Sequence, residues 1–178
     1  DPDPRVAGRG IEELTAAGID VVVGVGSDEA TEQLAPYLKH RRTGRPWVVL
    51  KLALTLDGRT AAPDGSSRWL TNELAREDVH RLRAESDAVL VGAGTVRADD
   101  PELTVRLQAL PARQPLRVVL GEIPPGAKVM PALAMHGELG DVLDALGGRD
   151  VLQVLVEGGP TVAAAFHGAR LVDRYVLY

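Results

Sequence analysis

The 178-residue chain contains no cysteine. That absence excludes disulfides, thiolate nucleophiles and cysteine-ligated zinc together. Histidine is scarce: His40, His80, His136 and His167 are scattered, with no pair three or four residues apart. A histidine metal site is therefore not expected, and each histidine reads as a surface or cap residue. Aromatic residues make up 3% of the chain, so the core has to be built from Val, Leu, Ala and Ile. These are the usual material of parallel or mixed sheets covered by helices. There is no apolar run of about 18 residues, and the opening DPDPRVAGRG has no apolar signal core, so neither a membrane span nor export is expected and a cytoplasmic setting follows. An excess of basic charge is also missing. The net charge is −5, which argues against a general nucleic-acid or membrane-surface role, because either needs a basic face. Internal repeats and low-complexity tracts are absent as well.

What is present is one well-covered core's worth of chain, 45% hydrophobic. IEELTAAGI followed by DVVVGVG reads as a helix, a turn and an apolar β-branched strand, and Leu34 to Leu38 as a second short helix. HRRTGRP at His40 to Pro46 reads as a basic connector, which places a boundary at residue 45. WVVLKLALTL, from Trp47 to Leu56, reads as a buried strand. A lysine inside it is costly to desolvate, so Lys51 needs a partner, a wet cavity or an anionic ligand, unless its head snorkels to solvent.

The stretch from Lys51 to Arg106 then concentrates the polar chemistry. DGRTAAPDGSSRW is a long polar loop just after a strand, where α/β proteins place ligands. Its Trp69 is either a plug on the core or the flat wall of a pocket. TNELAREDVHRLRAES reads as a helix capped by Thr71, with Leu74, Val79 and Leu82 as its apolar stripe. Arg76 and Arg83, seven apart, share a face; taken alone, Arg83 reads as a solvated charge beside Glu85 or Asp87. DAVLVGAGTVRADDP reads as a strand, a Gly-x-Gly-Thr turn and a short helical turn stopped by Pro101. GAGT lacks the third glycine of a dinucleotide fingerprint. Asp99 and Asp100 are either solvated carboxylates at a helix stop or ligand contacts, and LTVR brings Arg106 back to the same neighbourhood. LRVVL is a further strand, Val129 to Leu139 resists assignment, and Gly140 to Leu146 reads as a helix stopped by Gly147-Gly148. VLQVLV is a buried strand running into EGGPTVAAAF, where two glycines and a proline open a helix whose exposed amides suit a phosphate. LVDRYVLY closes the chain as a strand. Strands alternating with helices imply an α/β fold with a mostly parallel central sheet covered by helices on both faces.

KLALTLDGRT, SSRWLT, RLRAESDAVLVGAGTVRADDP, LTVR and LVEGGPT, in this order, resemble the reductase half of the bacterial bifunctional riboflavin-biosynthesis deaminase/reductase. The resemblance implies a dihydrofolate reductase-like domain over 46–178, with residues 1–45 similar to the tail of the deaminase half and its linker. It implies NADPH-dependent reduction of 5-amino-6-(5-phosphoribosylamino)uracil at the sugar C1′, in a homodimer. By matched position, Ser67, Arg83, Leu103 and Arg106 would hold the substrate phosphate end and Glu157 the ribose. Ala53, Thr55, Trp69, Thr95, Asp99 and the turn Gly159, Pro160, Thr161, Val162, Ala163, Ala164, Ala165 would hold the cofactor. Lys51, Asp99 and Glu157 are the candidate proton donors, and the sequence does not choose among them. The family's deaminase half carries a His-x-Glu and paired cysteines that have no counterpart here, so no deaminase activity is expected of this chain. The family also has more residues between Val129 and Gly140 and further strands after Tyr178, so the reductase domain is expected to be incomplete at its C-terminus. A non-catalytic phosphosugar- or nucleotide-binding fragment is the competing reading.

Overall fold

In a computed structural model, the structure describes residue 3 and residues 6–55, 57–59, 71–107 and 113–178. In chain order the elements are α1 (Arg9–Ala16), α2 (Ser27–Gln33), α3 (Ala35–Thr43), β1 (Trp47–Leu52), α4 (Glu73–Ala84), β2 (Ala88–Gly92) and α5 (Ala93–Asp99). They continue with β3 (Leu116–Leu120), β4 (Leu133–Met135), α6 (Leu139–Gly147), β5 (Gln153–Val156), α7 (Pro160–Gly168) and β6 (Arg174–Leu177). The six strands form one sheet in the order β4-β3-β2-β5-β1-β6, and every neighbouring pair is parallel. All six strands therefore end at the same edge of the sheet.

The strands are short and β-branched, and their alternate residues feed two separate cores, as a sheet buried on both faces requires. On one face Val48, Leu50, Leu90, Val118, Val154 and Val156 pack with Leu143 and Leu146 of α6 and Phe166 of α7. On the other, Val49, Val89, Val91, Val119 and Leu155 pack with Leu82 of α4 and Val96 of α5. The single phenylalanine is fully buried, and aliphatic side chains supply the rest of both cores. The α/β class, the parallel sheet and its two-sided cover agree with the sequence reading.

Three local expectations do not hold. The Asp20–Gly26 run is not a strand. Val22, Val23 and Val25 are 80%, 70% and 84% exposed, because no described strand lies beside them to complete a ladder, and β propensity without a partner forms nothing. Leu74 is likewise exposed. The cap is Asn72, whose side chain accepts from the Ala75 amide, so the helix starts one residue later than a Thr71 cap implies; its inward stripe is Ala75, Val79 and Leu82, at i, i+4 and i+7. His40 is buried rather than superficial. Its Nε2 lies 3.0 Å from the Gly147 carbonyl, tying α3 to the end of α6. The unassigned stretch after Val129 holds β4, an edge strand of three residues, too short to announce itself by periodicity.

The basic connector is shorter than expected, since α3 continues to Thr43 and Gly44 caps it in the left-handed region. Asp173 anchors this end of the fold: it accepts from the Val48 amide and pairs with Lys39 of α3.

Candidate functional site

Connections from β2 and β5, which are neighbours in the sheet, leave toward opposite faces: α5 joins the α4 side and α7 the α6 side. In open α/β sheets the crevice beyond such a divergence is where ligands bind. Parity then decides which side chains stand over it. Val49, Leu155 and Val176 point into the α4-side layer, so Lys51 in β1, and Glu157 and Tyr178 one residue beyond the ends of β5 and β6, each two residues further along the chain, project to the same side. Register makes them neighbours: β1 pairs Leu50 with Val156 and Lys51 with Val176.

Arg83 reaches this trio from α4. Its Nε donates to Glu157 Oε1 at 2.6 Å and its Nη2 to Oε2 at 2.8 Å, a fork that is 12% exposed on the arginine and 10% on the glutamate. Nη1 donates to the Thr104 carbonyl at 3.1 Å. Arg83 is therefore not the solvated charge beside Glu85 or Asp87 that its local sequence suggests. Burial pushes the Lys51 ammonium below the ordinary lysine value; Glu157 partly offsets this and the Arg83 charge adds to it. The Tyr178 ring lies 5.8 Å from Lys51 Nζ, and its hydroxyl donates to Asp78 of α4, an arrangement that with burial raises the phenol's pKa. His80, one turn before Arg83, places Nδ1 3.1 Å from the Thr104 carbonyl and 3.3 Å from the Arg106 amide. Desolvation, then the Arg83 and Arg106 charges, lower its pKa.

The sequence-predicted residues are distributed as follows. Arg83 and Glu157 bond directly, and Arg106 flanks His80 while its guanidinium pairs with Glu102 at 2.9 Å. Leu103 is a core residue at φ 53°, its side chain in the α4-side layer. Thr55 organises the turn after β1, its hydroxyl bonding Asp57 and accepting from the Arg59 amide, and Ala53 lies beside it at the same edge of the sheet. Thr95 Oγ1 accepts from the Gly159 amide at 3.2 Å, joining the two halves of the expected cofactor set, and Asp99 is exposed one turn further along α5. Pro160 opens α7, and no side chain caps it, so the Thr161 and Val162 amides have no intrahelical acceptor. Val162 packs on the core, Ala163 is buried in it, and Thr161, Ala164 and Ala165 are exposed. Ser67 and Trp69 lie outside the described residues.

Sequence reasoning missed His80, Asp78 and Tyr178. The i, i+3 spacing of His80 to Arg83 and the alternation Val176-Tyr178 were the available signals. Elsewhere, an open cavity of about 1210 Å³ lies at the opposite edge of the sheet, among α2, α3, Trp47 and Gln153; it holds none of the predicted residues. Among the described residues no cluster of three His, Asp or Glu could hold a metal, and no helix is long and apolar enough to cross a membrane.

Close packing fixes the glycine turn. A Cβ on Gly158 would lie 2.6 Å from Val162 Cβ, so Gly158→Ala forces the first turn of α7 off β5. The expected result is a stability loss of about 1–3 kcal/mol, read by thermal denaturation. Gly94→Ala is the control: nothing lies within 4 Å of its Cβ position, and it is expected to leave stability unchanged or raise it by about 0.5–1 kcal/mol. Equal melting temperatures for the two variants would remove the steric account.

Comparison with known proteins places this geometry in context. The sequence model of the RibD C-terminal domain matches residues 46–178. The riboflavin biosynthesis protein RibD of Chlamydia trachomatis is 43% identical over 214 aligned residues, which cover all of this chain and 57% of that protein. The chain thus spans a little over half the length of such curated relatives. A solved structure of Acinetobacter baumannii RibD superposes with a TM-score of 0.88 at 36% identity, covering 99% of this chain and 57% of that one. The diaminohydroxyphosphoribosylaminopyrimidine deaminase/5-amino-6-(5-phosphoribosylamino)uracil reductase of Thermotoga maritima superposes with a TM-score of 0.86 at 34% identity, covering 99% and 56%.

Proposed function

The chain belongs to the RibD C-terminal domain family, and from that premise we propose that it reduces 5-amino-6-(5-phosphoribosylamino)uracil to its ribitylamino product with NADPH. The reductase unit is assigned to 46–178 and the preceding residues to the deaminase-side linker, in keeping with the matched span. A homodimer in the cytoplasm is part of the same reading. The observation that carries the proposal is the cluster of Lys51, Arg83 and Glu157 at the carboxyl edge of the sheet, in a chain whose whole length aligns with 57% of a RibD protein.

The residues present fit a dinucleotide phosphate. The first turn of α7 offers two amides without an intrahelical acceptor beside a glycine pair, and Thr95 holds that turn against α5. When bound, NADPH supplies the hydride that C1′ of the ring-opened, imine-form substrate accepts. This chain supplies the accompanying proton to nitrogen. Lys51 is assigned that role: burial makes its ammonium a better acid than an ordinary lysine. Glu157 has both oxygens on Arg83, so it serves as an acceptor that orients a ribose hydroxyl and holds the cation. Arg106 and the second Nη1 proton of Arg83, the first being on the Thr104 carbonyl, are assigned to the substrate phosphate, with Ser67 and Leu103 completing that end. Ala53, Thr55, Trp69, Thr95, Asp99 and the Gly159–Ala165 turn are assigned to the cofactor.

The test is titration of NADPH by fluorescence, followed by loss of its reduced-nicotinamide absorbance with the phosphoribosylamino-pyrimidine. Saturable binding and substrate-dependent oxidation are expected. Absence of both would leave a phosphosugar-binding fragment as the better description.

A further inference from the structure

We propose that His80 is a positioning residue for the phosphate end of the site, holding the Arg106 backbone through its Nδ1; this rests on the reading of Arg106 as a phosphate ligand. Residues 101–107 have no regular secondary structure, so nothing in a helix or strand ladder sets where Arg106 stands. Three anchors do. Leu103 is sunk in the core at φ 53°. Gln114 clamps Val105, accepting from its amide at 2.8 Å and donating to its carbonyl at 3.1 Å. The third anchor is on α4, where Arg83 donates to the Thr104 carbonyl and His80 Nδ1 lies 3.3 Å from the Arg106 amide.

Hydrogen-bond accounting assigns the tautomer. The Thr104 carbonyl already accepts from Arg83 Nη1 at 3.1 Å, whereas the Arg106 amide has no other acceptor among the described residues. One nitrogen cannot donate to the first and accept from the second at once. A neutral ring with its proton on Nε2 and its Nδ1 lone pair facing the Arg106 amide gives that amide its acceptor and leaves the Thr104 carbonyl to Arg83. Desolvation of the ring, and after it the two arginines that flank it, one on its own helix and one on the facing segment, favour that neutral form. His80 thus lets two guanidinium-bearing residues share one corner without adding a third cation, and it leaves the Arg106 side chain to exchange Glu102 for a ligand phosphate.

The experiment compares His80→Leu with His80→Asn, whose Oδ1 takes the place of Nδ1 as acceptor. Melting temperature and NADPH affinity serve as readouts that this anchor should not move. For His80→Leu, the substrate KM and the ribose 5-phosphate Kd by calorimetry are expected to rise about tenfold, the scale of one lost hydrogen bond, with kcat falling far less. His80→Asn is expected to recover most of that loss. Equal behaviour of the two variants, or a loss carried by kcat alone, would overturn the assignment. An inactive wild type would instead sink the reductase reading, and the ribose 5-phosphate arm would still decide the role of His80.

Discussion

Lys51→Met is expected to lower kcat by about 10²- to 10⁴-fold, the range that a positioned general acid contributes, with NADPH affinity kept. Lys51 sits where β1 lies between β5 and β6, its ammonium near the Tyr178 ring and in the field of Glu157 and Arg83. Burial, the largest influence, disfavours the charged form, so the proton leaves more readily than from a lysine in water, whose value is 10.5. Two consequences have definite signs. The alkaline limb of the kcat profile should fall at a pH below that of an ordinary lysine, because the donor proposed above is the ammonium. Between the lowered folded pKa and the unfolded one, the unfolded chain binds more protons, so this group makes stability rise with pH across that window. Methionine, of similar length and uncharged, should abolish both effects and leave the fold intact. A kcat within threefold of wild type would move the proton donor elsewhere, with Asp99 next in line.

Arg83→Ala is expected to cost about 3–5 kcal/mol of stability, the penalty of leaving the Glu157 carboxylate buried without its partner. Substrate binding should be lost with it. Since both members are nearly enclosed, replacing them together by apolar side chains of similar size, Arg83→Met with Glu157→Leu, is expected to restore most of that stability. Activity should stay absent in the double variant. The comparison separates scaffold from chemistry: chemical denaturation reads the first and turnover the second. Recovery of substrate affinity in the double variant would remove the pair from the substrate site. An Arg83→Ala protein that melts like wild type would instead overturn the buried-pair account, since it would mean that the fork is open to solvent.

How much of this was legible in the sequence differs by element. Leu116–Leu120 is read to the residue, because a β-branched run bounded by Pro115 and Gly121 has one interpretation. The helix α7 is announced by its Gly-Gly-Pro entry. The valines at 21–23 mislead because strand propensity is a property of a filled place in a sheet, and none is offered to them. Leu74 misleads because the stripe set by Val79 and Leu82 runs through Ala75, and one residue back along a helix is a turn of about 100°, which leaves Leu74 in solvent. Arg83 misleads for a stronger reason: Glu85 and Asp87 are its neighbours in sequence, yet the carboxylate it meets lies 74 residues away.

Class, charge and the cast of polar residues were determined by the sequence alone. Few aromatics and many β-branched residues demand a two-sided parallel sheet. Alternation along each strand already puts Lys51 on the side of Val49, Glu157 on that of Leu155 and Tyr178 on that of Val176. The tertiary structure alone decided that these three strands are adjacent, in the order β5-β1-β6, and that α4 covers the face they share. Parity is a local property of the pleat, fixed within two residues. Adjacency is a global one, settled by which helices can cover which strands, and only adjacency brings a lysine, a glutamate and an arginine close enough to change one another's chemistry.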